Sequence, residues 1–256
     1  MKFLILVISA ALMFGGDAEA ARKKRPVAVP AFSAKSYIVA EANGTIIKEQ
    51  NGDSVLPIAS ITKLMVGIIA AEQDLDEPLS IPSSRQVQSS IPRNVASLTR
   101  RELLTLSMVK SDNFAAQILC ANIPNCIDRM NSKAQELGMV DTQYKEPTGL
   151  DKGNVSTAHD LLRLMVAASA DPVLGSISSM PKAEIPVDKR LIKVKNTNPL
   201  TSKFDIVLSK TGYTNPAGGC LVMTMNSNVG QRILILLGSR NAKTRIPDME
   251  RLVAGL

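Results

Sequence analysis

The chain has 256 residues, 45% hydrophobic, 21% charged and 3% aromatic, with a formal net charge of +7. That balance excludes a disordered chain, and three cysteines are too few for a disulfide-framework mini-protein. A single histidine excludes a multi-His metal centre and leaves any Ser-His-Asp hydrolase resting on His159 alone.

Residues 1–20 read as a secretory signal peptide. Lys2 opens it, Phe3 to Phe14 form an apolar stretch interrupted only by Ser9, and Ala18-Glu19-Ala20 is a small-x-small cleavage pattern. An apolar core of roughly 12 residues falls short of the ~20 that span a bilayer. The expected product is therefore exported, with no transmembrane anchor after cleavage. Residues 21–34 form a basic leader, Arg22-Lys23-Lys24-Arg25 followed by Pro26 and Pro30, which either attracts an anionic surface or is merely solvated. Export and scarce aromatics argue against nucleic acid as a partner.

From Lys35 the pattern predicts folded elements in a definite order. Two β-prone runs, Ser36 to Ala40 and Thr45 to Ile47, flank Asn43-Gly44 and predict a hairpin. Helical spacing covers Ser60 to Ala71, and Thr99 to Lys110 opens with a capping box, Thr99 to Glu102. Further helices are expected over Asn113 to Ala121 and over Cys126 to Leu137, the latter stopped by Gly138. Another is capped by Ser156 or Thr157 and ended near Ala170 by Asp171-Pro172. Leu191 to Lys195, Asp205 to Lys210, Gly219 to Met225 and Arg232 to Leu237 read as strands, and Arg245 to Val253 as a closing helix. This order predicts an α/β (α+β) domain over 35–256: one antiparallel sheet joining strands from both ends, flanking helices, and an inserted all-helical lobe. A cleft between lobes is the expected place for a site. Cys120 and Cys126 surround a turn at Ile123-Pro124-Asn125 and either bridge or stay as thiols, whereas Cys220 reads as a buried strand thiol. The cysteine and histidine spacing matches no zinc pattern.

Three short motifs carry chemistry. Ser60-Ile61-Thr62-Lys63 places a hydroxyl and an amine three residues apart at a helix start, where a desolvated lysine can serve as a base. Ser111-Asp112-Asn113 lies between two helices and can offer a proton relay and an amide, although such residues also serve as plain caps. Lys210-Thr211-Gly212 stands at the end of a predicted strand, offering a cation, a hydroxyl and close backbone approach.

In that order and spacing the three resemble the motif set of penicillin-binding proteins and serine β-lactamases. Pro57 to Met65, Leu137-Gly138-Met139, Glu146-Pro147-Thr148-Gly149-Leu150, Asn154 to Ala158, Asn196-Thr197-Asn198 and Lys210 to Met223 extend the likeness. Over Lys35 to Val253 the chain is similar to the low-molecular-mass serine D-Ala-D-Ala peptidases, most of all to their murein D-alanyl-D-alanine endopeptidase branch. The resemblance implies a β-lactamase/transpeptidase-like fold, Ser60 as acyl-enzyme nucleophile and Lys63 as its base. It further implies Ser111 and Asn113 in the relay, Lys210 and Thr211 on the substrate carboxylate, and backbone N–H groups of Ser60 and Tyr213 around the oxyanion, with Gly212 admitting the ligand. No metal or cofactor is implied. The implied partners are peptidoglycan stem peptides and cross-links, with β-lactams as covalent inhibitors, in the periplasm. Asp112 and the cysteine pair receive no role, His159 is read as structural, and Glu146 lies outside any Glu-x-x-Leu-Asn deacylation pattern. Endopeptidase is preferred to carboxypeptidase because no extra C-terminal β-domain or amphipathic anchoring helix follows Val253. A β-lactamase and a catalytically silent wall-binding module are the rivals.

Overall fold

The computed structural model describes residues 32–187 and 190–256, so the signal-peptide reading and the basic cluster of the leader lie outside the described residues. Phe32 to Leu256 form one compact unit. In chain order, β1 (Ser36–Glu41) and β2 (Ile46–Gln50) form the expected hairpin, with Gly44 at φ +90° in its turn. After β3 (Leu56–Pro57), a 3-10 turn over Ala59–Thr62 runs directly into α1 (Lys63–Ala71). β4 (Pro78–Ser80) pairs with β5 (Ser97–Thr99), which leads into α2 (Arg100–Thr105). The capping box is present, Thr99 and Glu102 each satisfying the other's backbone N–H. A turn of π-helix over Leu106–Lys110 extends α2. Then come α3 (Asn113–Ala121) and α4 (Cys126–Glu136), joined by a Cys120–Cys126 disulfide with Cα atoms 5.4 Å apart.

β6 (Val155–Ser156) pairs with β3 and leads to α5 (Ala158–Ser169), N-capped by Thr157. Asp171-Pro172 ends α5 and at once starts α6 (Pro172–Ser178), because the Asp171 carboxylate accepts from the Val173 and Leu174 N–H groups and proline suits the first helical position. Two further strands, β7 (Lys182–Val187) and β8 (Arg190–Lys195), make a hairpin where the sequence predicted one strand. The last block is β9 (Ile206–Thr214), β10 (Gly218–Ser227), β11 (Gly230–Ser239) and α7 (Arg245–Ala254). β9 continues past the predicted end at Lys210, so Lys210-Thr211-Gly212 lies within a strand.

The main sheet has the order β2-β1-β11-β10-β9, with every neighbour antiparallel, and so joins strands from both ends of the chain. Alternation along its central strands divides the core in two. Tyr37, Val39, Leu221, Met223, Leu234 and Leu236 pack with Met249 and Leu252 of α7. Ile38, Ala40, Val222, Ile233, Ile235 and Leu237 belong to the other core, with α1, α5 and the helices between them. Both faces of β10 and β11 are thus covered, which accounts for their nearly continuous apolar runs. Cys220 is buried in β10, as the sequence suggested. Among the described residues no single helix is long and apolar enough to cross a membrane.

Candidate active site

Ser60 stands in the 3-10 turn rather than on α1, and Lys63 is the first residue of α1. The change of helix type helps, because side chains three apart eclipse one another in 3-10 geometry. Ala59, just before the serine, holds φ +47°, in the sparsely populated left-handed region. Two contacts over-determine that turn. The Ile58 N–H donates to the Asn154 carbonyl at 3.1 Å, and the Thr62 hydroxyl to the Ala59 carbonyl at 2.8 Å.

The Lys63 side chain is fully buried. Its Nζ lies 2.8 Å from Ser60 Oγ, 2.7 Å from Asn113 Oδ1 and 2.6 Å from the Thr148 carbonyl. Burial lowers its pKa to about 7, against the opposing pull of the Glu146 and Asp112 charges. A neutral amine has two N–H groups and one lone pair. The two carbonyl oxygens can only accept, so they take both N–H groups and leave the lone pair for the Ser60 hydroxyl proton. That arrangement can turn the serine into a nucleophile near neutral pH.

Across the cleft, Lys210 Nζ donates to Ser111 Oγ at 2.8 Å and to the Thr211 carbonyl at 2.9 Å. Lys210 is buried too. Desolvation first, then the nearby Lys63 and Arg245 charges, hold its pKa well below the usual lysine value. Ser111 occupies the left-handed region at φ +59°, where the π-turn passes into α3. Asp112 fixes that junction. Its Oδ1 accepts from the Ala115 N–H at 3.1 Å as the α3 cap, and its Oδ2 accepts from the Ser90 N–H at 2.6 Å and the Ser89 hydroxyl at 3.0 Å. Thr211 Oγ1 donates to Thr197 Oγ1 at 2.6 Å.

Gly212 has a steric reason to be glycine. A Cβ there would stand 2.9 Å from the Ile58 carbonyl oxygen and 3.1 Å from the Ser60 nitrogen. β9 therefore runs alongside the backbone N–H of the serine, where an oxyanion would form. The Tyr213 side chain takes no part in this network: it is exposed, its hydroxyl donating to Asn215 Oδ1 at 2.9 Å.

Several supporting groups received no role from the sequence. Glu146 gathers its own loop, accepting from the Thr148 N–H at 2.7 Å, the Thr148 hydroxyl at 2.5 Å, the Gly149 N–H at 2.5 Å and Asn154 Nδ2 at 3.2 Å. This aims the Thr148 carbonyl at Lys63. At Gly149, φ is +84° and a Cβ would lie 1.9 Å from the Ala59 carbonyl oxygen, so the loop is pressed onto the turn that carries Ser60. Arg245, from α7, donates to the Gly212 carbonyl at 2.8 Å. His159 is distant in kind: its ring bridges Asp53 and Glu49, each at 2.5 Å, and has no share in this cluster's hydrogen bonds. Among the described residues, no group of three His, Cys, Asp or Glu side chains is placed to hold a metal ion.

Comparison with known proteins agrees with this geometry. The profile of the family described as D-alanyl-D-alanine carboxypeptidase (Peptidase_S11) matches residues 22–241. A D-alanyl-D-alanine endopeptidase of Pseudomonas aeruginosa is 37% identical over 86% of this chain and 76% of its own. One from Escherichia coli is 34% identical over 98% and 87%. The fold is similar to that of penicillin-binding protein D2 from Listeria monocytogenes in its ampicillin-bound form, with a TM-score of 0.80 at 30% identity, covering 88% of this chain and 97% of that one.

Proposed function

The chain belongs to the D-alanyl-D-alanine carboxypeptidase (Peptidase_S11) family of serine D-Ala-D-Ala peptidases, and from that premise we propose that it is an endopeptidase cutting D-Ala-containing cross-links between peptidoglycan stem peptides. The observation that carries the serine-peptidase part of the reading is the buried Lys63 amine, 2.8 Å from Ser60 Oγ and held between the Asn113 and Thr148 carbonyl oxygens.

The reaction follows from the geometry. Ser60 Oγ attacks the carbonyl carbon of D-Ala while its proton passes to Lys63 Nζ. Negative charge gathers on the carbonyl oxygen beside the backbone N–H groups of Ser60 and Tyr213. The C–N bond then breaks, and the leaving amine takes a proton relayed through the Ser111 hydroxyl, itself hydrogen-bonded to Lys210. Asn113 steadies Lys63 through its oxygen and keeps its –NH2 for a substrate carbonyl. Lys210 and Thr211 hold the substrate carboxylate. Water then hydrolyses the Ser60 ester and regenerates the hydroxyl. A β-lactam follows the first half of this path and leaves a covalent adduct on Ser60.

Residues 35–256 would carry this activity, and residues 1–20, read as a signal peptide, would deliver it to the periplasm. Endopeptidase is preferred because the relatives at 31–37% identity bear that name, whereas those at 29% and below are named carboxypeptidases. The family's own description favours a second reading, a carboxypeptidase that trims terminal D-Ala. One experiment separates them. Purified protein is incubated with labelled penicillin and then with cross-linked muropeptide dimers and pentapeptides. The expected result is an adduct absent from Ser60→Ala, with dimers converted to monomers. Intact dimers with trimmed pentapeptides would make it a carboxypeptidase, rapid penicillin turnover a lactamase, and no adduct would overturn the catalytic reading.

A further inference from the structure

A groove of about 710 Å³ runs between the segment Ser90–Val95 and the β7–β8 hairpin. Ser90, Asn94 and Val95 line one wall; Arg190, Leu191 and Lys193 line the other. Both walls are tied to the active site. Ser90 donates its N–H to Asp112 at 2.6 Å, and Asp112 sits between Ser111 and Asn113. On the other side β8 runs on to Thr197, whose N–H donates to the Val109 carbonyl at 3.0 Å and whose hydroxyl oxygen accepts from Thr211 at 2.6 Å. Lys210 reaches Ser111 at 2.8 Å between these same two sides. Both walls of the groove are therefore anchored to the hydrogen-bond network of Ser111, Lys210 and Thr211.

Among the described residues, two cations and no carboxylate line the groove. On the exposed face of the hairpin, Lys182 and Lys195 stand directly opposite each other in register, which costs stability in an antiparallel pair. Glu184 pairs with Lys193 at 3.3 Å, but both are well exposed, so the pair is weak and exchangeable. Leu191 adds exposed apolar surface beside these charges. A binding surface for an extended acidic peptide needs this combination: apolar contact for the chain and cations for its side carboxylates.

We propose that this groove binds the carboxylate-bearing stem peptide of a cross-linked substrate, and that Arg190 and Lys193 hold its side carboxylates. The proposal rests on the endopeptidase reading and names how a cross-linked peptide would be told from a short neutral one. Exposed cations act through a screened field, so the binding weakens with salt.

The test uses the full chain as Ser60→Ala, which binds without turnover, and two synthetic stem-peptide dimers that differ only in amidation of their side carboxylates. The expected result is roughly tenfold tighter binding of the free-acid dimer by calorimetry, the size of one to two charge contacts. Adding Arg190→Glu and Lys193→Glu removes the difference, whereas Arg190→Lys with Lys193→Arg keeps it. Equal affinity for the two dimers, or a difference that survives charge reversal, overturns the proposal. Cleavage by the unaltered chain is scored separately. Failure to cut any dimer would remove the endopeptidase reading while leaving the binding result to judge the groove.

Discussion

In the proposed reaction Lys63 is the residue on which the chemistry turns. Burial makes the neutral amine accessible near pH 7, while the Glu146 and Asp112 carboxylates keep that pKa from falling further. Acylation by labelled penicillin should accordingly rise with pH through about 7, as Lys63 loses its proton and becomes able to take one from Ser60. Glu146 has a second task, holding the loop that aims the Thr148 carbonyl. Glu146→Gln removes a charge that favours the ammonium, so the acid limb of the acylation profile should move to lower pH. The same change spoils the paired N–H contacts, and the limiting rate should fall on the order of 10²-fold, the cost of a misplacement of about 1 Å. A slower rate on an unmoved limb would reduce Glu146 to a clamp. The clustering of Ser60, Lys63, Ser111, Asn113 and Lys210 was legible because three motifs, each weak alone, together resemble one family's ordered set. Thr148 was not, since it acts through a backbone carbonyl that any residue possesses. Nor was Arg245, whose partner Gly212 is 33 positions away.

At the level of elements, His159 joins β2 to α5 without touching the catalytic cluster. Its backbone N–H donates to the Gly52 carbonyl at 3.2 Å, and its ring spans Glu49 and the turn residue Asp53. Burial disfavours the charged ring, but the two carboxylates outweigh it and raise the pKa above 6.5. A raised folded pKa gives stability that is complete below the unfolded value and is lost as pH rises through the folded one. The melting temperature of the unaltered chain should therefore exceed that of His159→Gln most clearly near pH 5, with the gap closing above neutrality. A gap independent of pH would mean that only packing is at stake. The capped helices were legible because their caps are local chemistry: Thr99 with Glu102, and Thr157 with Asp160. α6 and β7 were not. Asp171-Pro172 reads equally as a stop and as a start, and Lys182–Val187 contains a proline that argues against a strand. β7 tolerates Pro186 because it belongs to an isolated two-stranded hairpin. β9 outran its predicted end because it stays paired with β10 in register as far as Thr214, opposite Gly218.

Over the whole molecule, the sheet couples parts that lie far apart in sequence. β1 pairs with β11, and the segment before β1 meets the helix after β11 through Asp248. That carboxylate is buried. Its Oδ2 accepts from the Ser33 N–H at 3.2 Å, the Ser33 hydroxyl at 2.5 Å and the Ser239 hydroxyl at 3.0 Å. Three positions earlier on α7, Arg245 donates to the carbonyl of Gly212, beside the Ser60 backbone. One helix thus fastens Ser33 and steadies β9. Asp248→Asn should lower the free energy of unfolding by about 1–3 kcal/mol, the penalty for leaving buried hydrogen-bonding groups unmatched, read as a lower urea midpoint at unchanged slope. If α7 transmits that loosening, penicillin acylation per folded molecule should slow as well, because Arg245 loses its fixed footing. A lower midpoint with an unaltered acylation rate would separate the two ends of α7, making Asp248 a fastening for the fold and leaving Arg245 to hold β9 by its own contacts with Gly212.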